Sequence, residues 1–371
     1  MCRDNKLVRC ADTCQDVKNM YHKCISSKDL SMMKSNIPLQ INDDQYITIN
    51  IPIVFHLLDP ILSRHTVEFW QDHIIKNIIP QLNEDFNICY RKSSAQYIKI
   101  VTDLFKNADK DKLKYYLQQV DMLPNFINLN WKIMLDKIII KPVGGLVINI
   151  YNNDLIYRSA QLVDPEYHIN IIVTPGSNVL GMSVYPFVDR NSNDESLIDI
   201  DCKYRNAILI NTIAFIGIIK PFDKYRTFTH EIGHWCGLFH TFDNVIYKST
   251  DVIKFGINDL EFDNKPVEPW SQDQNKVGDL VVDTAIQSSP VFGKVYDNLI
   301  KIKQYIDHHY VDVEVRDTPY AMIFEKNHDT PNFYNFMDYT DDDQMYLYTK
   351  DQMLHMIYML RRFRPQFIKI Y

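Results

Sequence analysis

Residues Thr229–Thr241 read THEIGHWCGLFHT, and within them three histidines, a glutamate and a glycine stand at spacings that can assemble a metal site. If the stretch opens as a helix, His230 and His234, four positions apart, share one face. Each can then present a ring nitrogen at about 2.0 Å to one tetrahedral zinc ion. A third ligand needs a change of direction, because a continuing helix would carry residue 240 away. Gly237 supplies the stop, since glycine enters the left-handed region without a Cβ penalty, and His240 then returns to the metal. Glu231, beside the first ligand, is the general base. Zinc lowers the pKa of a bound water to about 7, and the carboxylate can take that water's proton and pass it to a leaving amine. Such a site hydrolyses peptide bonds. Two histidines around a glutamate alone could be a plain surface helix; the added Gly237 and His240 make the pattern specific.

A second element lies far downstream. Asn335–Thr340 reads NFMDYT, and metzincin zinc peptidases place a methionine-bearing tight turn, the Met-turn, beneath their three histidines. Met337 taken alone reads as a gap-filling core side chain, and only its pairing with the histidine motif reverses that reading. Around these residues the pattern predicts a scaffold of strands and helices. Gln45–Leu58 (QYITINIPIVFHLL) is rich in β-branched residues and reads as a buried strand. Val67–Phe86 has apolar groups at helical spacing, with Pro80 a kink or break in one broken helix. Trp131–Ile140, Tyr167–Val173 and Ala207–Ile216 are further strand candidates. Lys350–Arg362 reads as a closing amphipathic helix that ends before Pro365. The charged stretch Tyr90–Asn130 reads as an elaboration, and Asp243–Asn335 as a long irregular segment dense in Asp, Asn, Pro and Lys.

The motif helix and the Met-turn segment, HEIGHWCGLFHTF and NFMDYTDD, resemble the pappalysin family of metzincins, and the likeness runs along most of the chain. IPIVFHLL (51–58), QLNEDF (81–86), INIIV (169–173) and VLGMSVYPF (179–187) look like that family's strand and helix segments in the right order. The resemblance implies an α+β domain with a twisted mixed sheet, an active-site helix and a small C-terminal subdomain carrying the Met-turn. On that basis residues 1–42 are an N-terminal leader, 43–240 an upper subdomain and 241–371 a lower one. It further implies that Tyr339 helps stabilise the reaction's oxyanion; without the family it reads equally as a core tyrosine.

Calcium is a second implied ion. GDLVVDTAIQ (278–287) is similar to the family's calcium loop, which makes Asp279, Asp283 and Thr284 candidate oxygen ligands, although Ala285 stands where a proline is usual. The bland reading is a solvated acidic loop. VRCADT (8–13) loosely resembles a pro-segment motif, which makes Cys10 a candidate inhibitory zinc ligand of a zymogen; the alternatives are a plain tail or a separate metal site with Cys14 and Cys24. Gln344 stands where the family often has a bridging cysteine. Asp341, Asp342 and Asp343 suggest a preference for basic residues after the cut bond, the bland reading again being a solvated turn.

Composition narrows the rest. With 371 residues, 46% of them hydrophobic and 23% charged, the chain can bury a sizeable core. Its net charge of -7 offers no basic field for phosphate backbones, so the expected partner is a polypeptide substrate and not nucleic acid. The apolar run Ala207–Ile219 is too short to span a bilayer. The first residues lack the continuous apolar stretch of a signal peptide, and seven cysteines do not pair evenly, so an intracellular or virion-packaged setting is favoured over classical secretion. The rivals to a metalloendopeptidase are a catalytically latent or inactive zinc-binding module and a zinc hydrolase of small molecules. The presence of Glu231 weighs against an inactive module.

Overall fold

The structure is a computed structural model that describes residues 8–10, 47–87, 129–148, 154–176, 179–186, 207–243 and 332–370, with individual positions between 98 and 117 and between 279 and 293. Two compact units partition the chain. The first takes Met1–Ile88, Phe126–Leu238 and His355–Tyr371, and the second Cys89–Asn125 and Phe239–Leu354.

The first unit is built on one sheet of seven strands: β1 (Val8–Cys10), β2 (Ile47–Leu57), β3 (Leu129–Ile140), β4 (Ile169–Thr174), β5 (Val179–Ser183), β6 (Ala207–Asn211) and β7 (Ile368–Ile370). The order is β1-β5-β6-β4-β2-β3, with β7 lying on the opening residues of β2. Neighbours run parallel except at β5–β6 and β2–β7, so the sheet is mixed. Every residue of β4 (INIIVT) and β6 (AILIN) is buried. Runs of Ile, Val and Leu without polar alternation are what strands covered on both faces require.

After a 3-10 turn at Leu62–Arg64, α1 (Val67–His73) passes through a π-helical turn at Ile74–Ile78 and continues as α2 (Ile79–Asn87). The expected break at Pro80 therefore falls one turn earlier. Pro80 has no N–H to offer the carbonyl four residues back and its ring crowds that turn, and the wider π turn absorbs both effects. Asn83 and Asn87, one turn apart on α2, each bond the backbone of β3 twice. Asn83 donates to the Ile133 carbonyl at 2.9 Å and accepts from its N–H at 3.0 Å; Asn87 makes the same pair with Trp131 at 2.6 and 2.7 Å. Two side-chain amides thus stand in for a further strand on that edge, which would otherwise offer unpaired backbone.

α3 (Asp154–Ala160) lies between β3 and β4, and α4 (Thr212–Ile216) follows β6 directly. The apolar run 207–216 is consequently half strand and half helix. Asn211 divides it, its side chain accepting the Ile213 N–H at 3.1 Å as a helix N-cap. Further along the described residues come α5 (Arg226–Trp235) and α6 (Lys350–Phe363).

In the second unit, residues 332–349 wind through successive turns with buried Phe333, Tyr334, Phe336, Met337 and Tyr348. Asp338 is the anchor of this region. Its carboxylate accepts the N–H groups of Val291 (2.9 Å) and Tyr339 (2.8 Å) and the Gln287 amide (2.9 Å). A buried carboxylate with three donors is satisfied, and it ties the 287–291 stretch to the methionine turn.

Candidate metal centre

α5 carries the motif, and all ten of its residues are buried. A wholly buried helix that contains arginine, glutamate and two histidines must find partners for them. At its start, Arg226 pairs with Asp85 of α2, and the Thr229 hydroxyl donates to the other carboxylate oxygen of the same aspartate. At its end, the Arg364 guanidinium donates to the Trp235 carbonyl and lies 4.0 Å from the centre of the Trp235 ring. A cation there also faces the negative end of the helix dipole.

The helix stops as the turn chemistry requires. The Gly237 N–H donates to the His234 carbonyl (2.8 Å) and the Leu238 N–H to the Gly233 carbonyl (3.0 Å), a Schellman pair, with Gly237 at φ +100°. A Cβ at position 237 would also stand 2.8 Å from the Met359 side chain. On α6, the His355 imidazole is buried, and burial pushes its pKa down to about 4, an effect the Gly237 backbone partly offsets. Cys236 is a buried free thiol whose pKa burial pushes upward.

Because the chain turns back at Gly237, one eleven-residue stretch brings His230, His234 and His240 together. Each offers a ring nitrogen, the three lie within 4.8 Å of one another, and all three residues are buried. The Nε2 atoms of His230 and His234 are 3.1 Å apart, close to the roughly 3.3 Å between two nitrogens on one tetrahedral zinc. The tautomers agree with this use. Nδ1 of His234 lies 2.7 Å from the Leu238 carbonyl oxygen, which can only accept, so Nδ1 carries the proton and Nε2 is left as the donor atom. The Tyr185 hydroxyl approaches the same Nδ1 at 2.9 Å. For His240, Nδ1 lies 3.2 Å from Asp243 Oδ2, and Nε2 lies 3.3 Å from the Tyr339 hydroxyl. Three neutral imidazoles are a donor set suited to zinc.

Glu231 is fully buried against β5: a Cβ built on Gly181 would come within 2.5 Å of Glu231 Oε1. The backbone of β1 pairs in parallel with β5, Cys10 opposite Gly181. The Cys10 side chain lies outside the described residues. Met337 is buried; its N–H donates to the Asn335 side chain (2.9 Å) and its carbonyl accepts from Thr241 N–H (3.3 Å).

Of the candidate calcium ligands, Asp279 and Thr284 are buried and hydrogen-bonded to each other at 2.5 Å, while Asp283 lies outside the described residues. The second Asp279 oxygen accepts the Gln352 amide at 3.1 Å, and burial pushes the carboxyl up to about 7. Asp342 is buried and Asp341 and Asp343 partly so. Sequence reasoning gave no role to Asp85, Arg364, Tyr185 or Asp243. Only Asp243, three residues past the third histidine, had a local signal that could have revealed it.

Comparison with known proteins adds the fold. A Tannerella forsythia promirolysin mutant superposes with a TM-score of 0.51 at 16% identity, covering 96% of each chain. The fold is shared with promirolysin. Mature mirolysin in complex with a cleaved peptide aligns with a TM-score of 0.49 and 18% identity over 86% of this chain and 97% of that one. An uncharacterised protein of Acanthamoeba polyphaga mimivirus is 22% identical over 98% of this chain, which spans only 37% of that relative's length. No family model matches the chain. Among the described residues, no helix is long and apolar enough to cross a membrane.

Proposed function

We propose that the chain is a zinc-dependent metalloendopeptidase of the metzincin type, similar to the pappalysin family, acting on polypeptide substrates. The observation that carries this reading is the convergence of three imidazole nitrogens within 4.8 Å from one short stretch that also contains Glu231. Zinc, when bound by His230, His234 and His240, supplies a Lewis acid that polarises a peptide carbonyl and activates water. Glu231 takes the proton released in the attack and returns it to the departing amine. The Tyr339 hydroxyl, 3.3 Å from His240 Nε2, is near enough to the ligand nitrogens to donate to the carbonyl oxygen as it gains negative charge. Met337 and the turn around it are proposed as the floor beneath the third histidine, a reading supported by the Thr241–Met337 backbone bond just after it.

Residues 1–42 are proposed as a pro-segment, with Cys10 as its inhibitory ligand, ahead of upper (43–240) and lower (241–371) subdomains. The parallel pairing of β1 with the strand that backs Glu231 favours a latent form of the same enzyme as the second reading. Calcium at Asp279, Asp283 and Thr284 is proposed from the motif alone; a Tm lowered by a calcium-selective chelator is its test.

The deciding experiment measures bound metal and casein cleavage for wild type and Glu231→Ala. One zinc per chain in both, with cleavage by wild type alone, is expected; loss of the base should cost about 10²- to 10⁴-fold in rate. Cleavage that emerges only after residues 1–42 are removed identifies the latent form. A protein that binds no zinc is not this enzyme.

A further inference from the structure

The second and third histidines are held by different chemistry. Nδ1 of His234 faces a neutral carbonyl and a phenol. Nδ1 of His240 faces a carboxylate, Asp243, at 3.2 Å. The same Asp243 Oδ2 accepts the His240 backbone N–H at 3.0 Å, and the Asp243 N–H donates to the His240 carbonyl at 3.0 Å. Three bonds between two residues fix both the backbone and the ring of His240. A carboxylate accepts and cannot donate when ionised, so this contact places the ring proton on Nδ1 and leaves the Nε2 lone pair for a metal.

The surroundings strengthen the bond. Asp243 and His240 are both buried. Phe242 stacks on the His240 ring at 4.8 Å and 10°, and Tyr339 meets it edge-on at 5.1 Å and 79°. Between two aromatic rings the hydrogen bond has little competition from water and polarises the imidazole more than an exposed one would. A carboxylate behind a metal-ligating histidine raises the ring's donor strength and holds its orientation.

We propose that Asp243 is a positioning residue for the third metal ligand, setting the tautomer and donor strength of His240 toward a bound divalent cation. The proposal rests on the three-histidine centre described above and extends it to a residue outside the motif.

The test uses the full chain, stripped of metal, in three forms: wild type, Asp243→Asn and Asp243→Ala. Zinc affinity is read by competition with a chromophoric chelator, and ligand geometry by the visible d–d bands after cobalt substitution. Circular dichroism establishes that each form is folded. Asp243→Ala should weaken zinc binding by about 10- to 100-fold and shift the cobalt bands. Asp243→Asn keeps an acceptor oxygen and the local turn but loses the charge, so an intermediate loss with a smaller band shift is expected. Affinities within about two-fold of wild type and unchanged cobalt spectra in both folded variants would overturn the proposal while leaving the metal centre intact. Failure of wild type itself to bind zinc or cobalt would overturn both.

Discussion

At the residue scale, the position of Glu231, the proposed general base, depends on an absent side chain. Glu231 fills the space that a Cβ at Gly181 would need, with its Oε1, Cγ and Cδ atoms 2.5, 2.7 and 2.8 Å from that point. Ordinary carbon contacts begin near 3.5 Å, so Gly181→Ala must push the carboxylate aside by roughly 1 Å, a displacement that costs on the order of 10²-fold in catalysis. The expected result is a fall of that size in kcat/KM with zinc content unchanged; full activity in this variant would mean that Glu231 is not held by the sheet. The histidines, the glutamate and Gly237 were legible because their spacing is local and each type has a distinct chemistry. Gly181 was visible only as part of a family-like segment. A glycine needed for space at a contact 50 residues away leaves no periodic trace, and the same holds for Asp85, which reaches the helix across 141 positions.

At the scale of elements, the motif helix is gripped at both ends, and the grip at its start makes a prediction about stability. Arg226 and Asp85 are almost entirely enclosed, with side-chain exposures of 8% and 2%, and Thr229 uses the same carboxylate. Removing one member of such a pair leaves the other buried and uncompensated, at a cost of about 3–5 kcal/mol. Asp85→Ala should lose that much in chemical denaturation, whereas Asp85→Leu combined with Arg226→Met should recover most of it. If the single variant loses less than about 1 kcal/mol, the clamp is not what holds α5. β2, β3, β4 and β6 could be read from their apolar runs and the long helices from periodicity, which are local properties; β1, β5 and β7 were not legible as strands from their pattern. Two boundaries could not be read this way either. At Pro80 the chain inserts a π turn one turn upstream, and at Asn211 an apolar run changes from strand to helix because one side chain caps the turn. Both outcomes depend on hydrogen bonds that hydrophobic pattern does not encode.

At the scale of the whole molecule, acid should weaken the hold of the proposed zinc site on its ion. Within the fold, two buried groups oppose each other, and His56, also pushed down by burial, adds to the side that acid weakens. His355, pushed down to about 4, contributes stability above its unfolded value of 6.5 and loses it as pH falls toward 4. Asp279, pushed up to about 7, does the reverse: its contribution is complete below about 3.8 and is lost as pH rises toward 7. From about pH 4.5 to 6, one group adds a slope of nearly one proton in each direction, so the two cancel. Zinc has no such compensation. Its three imidazole ligands must all be unprotonated, so affinity falls with acid, and with it the stabilisation that zinc confers in proportion to the logarithm of its concentration over Kd. The increase in Tm on adding excess zinc should therefore shrink steadily from pH 7 to pH 5, measured at each pH against the metal-free Tm, which carries the contributions of His355, Asp279 and His56. Calorimetric scans with and without a chelator across that range make the comparison. A zinc-dependent increment that does not vary with pH would mean that the stabilising ion is held by ligands other than the three histidines.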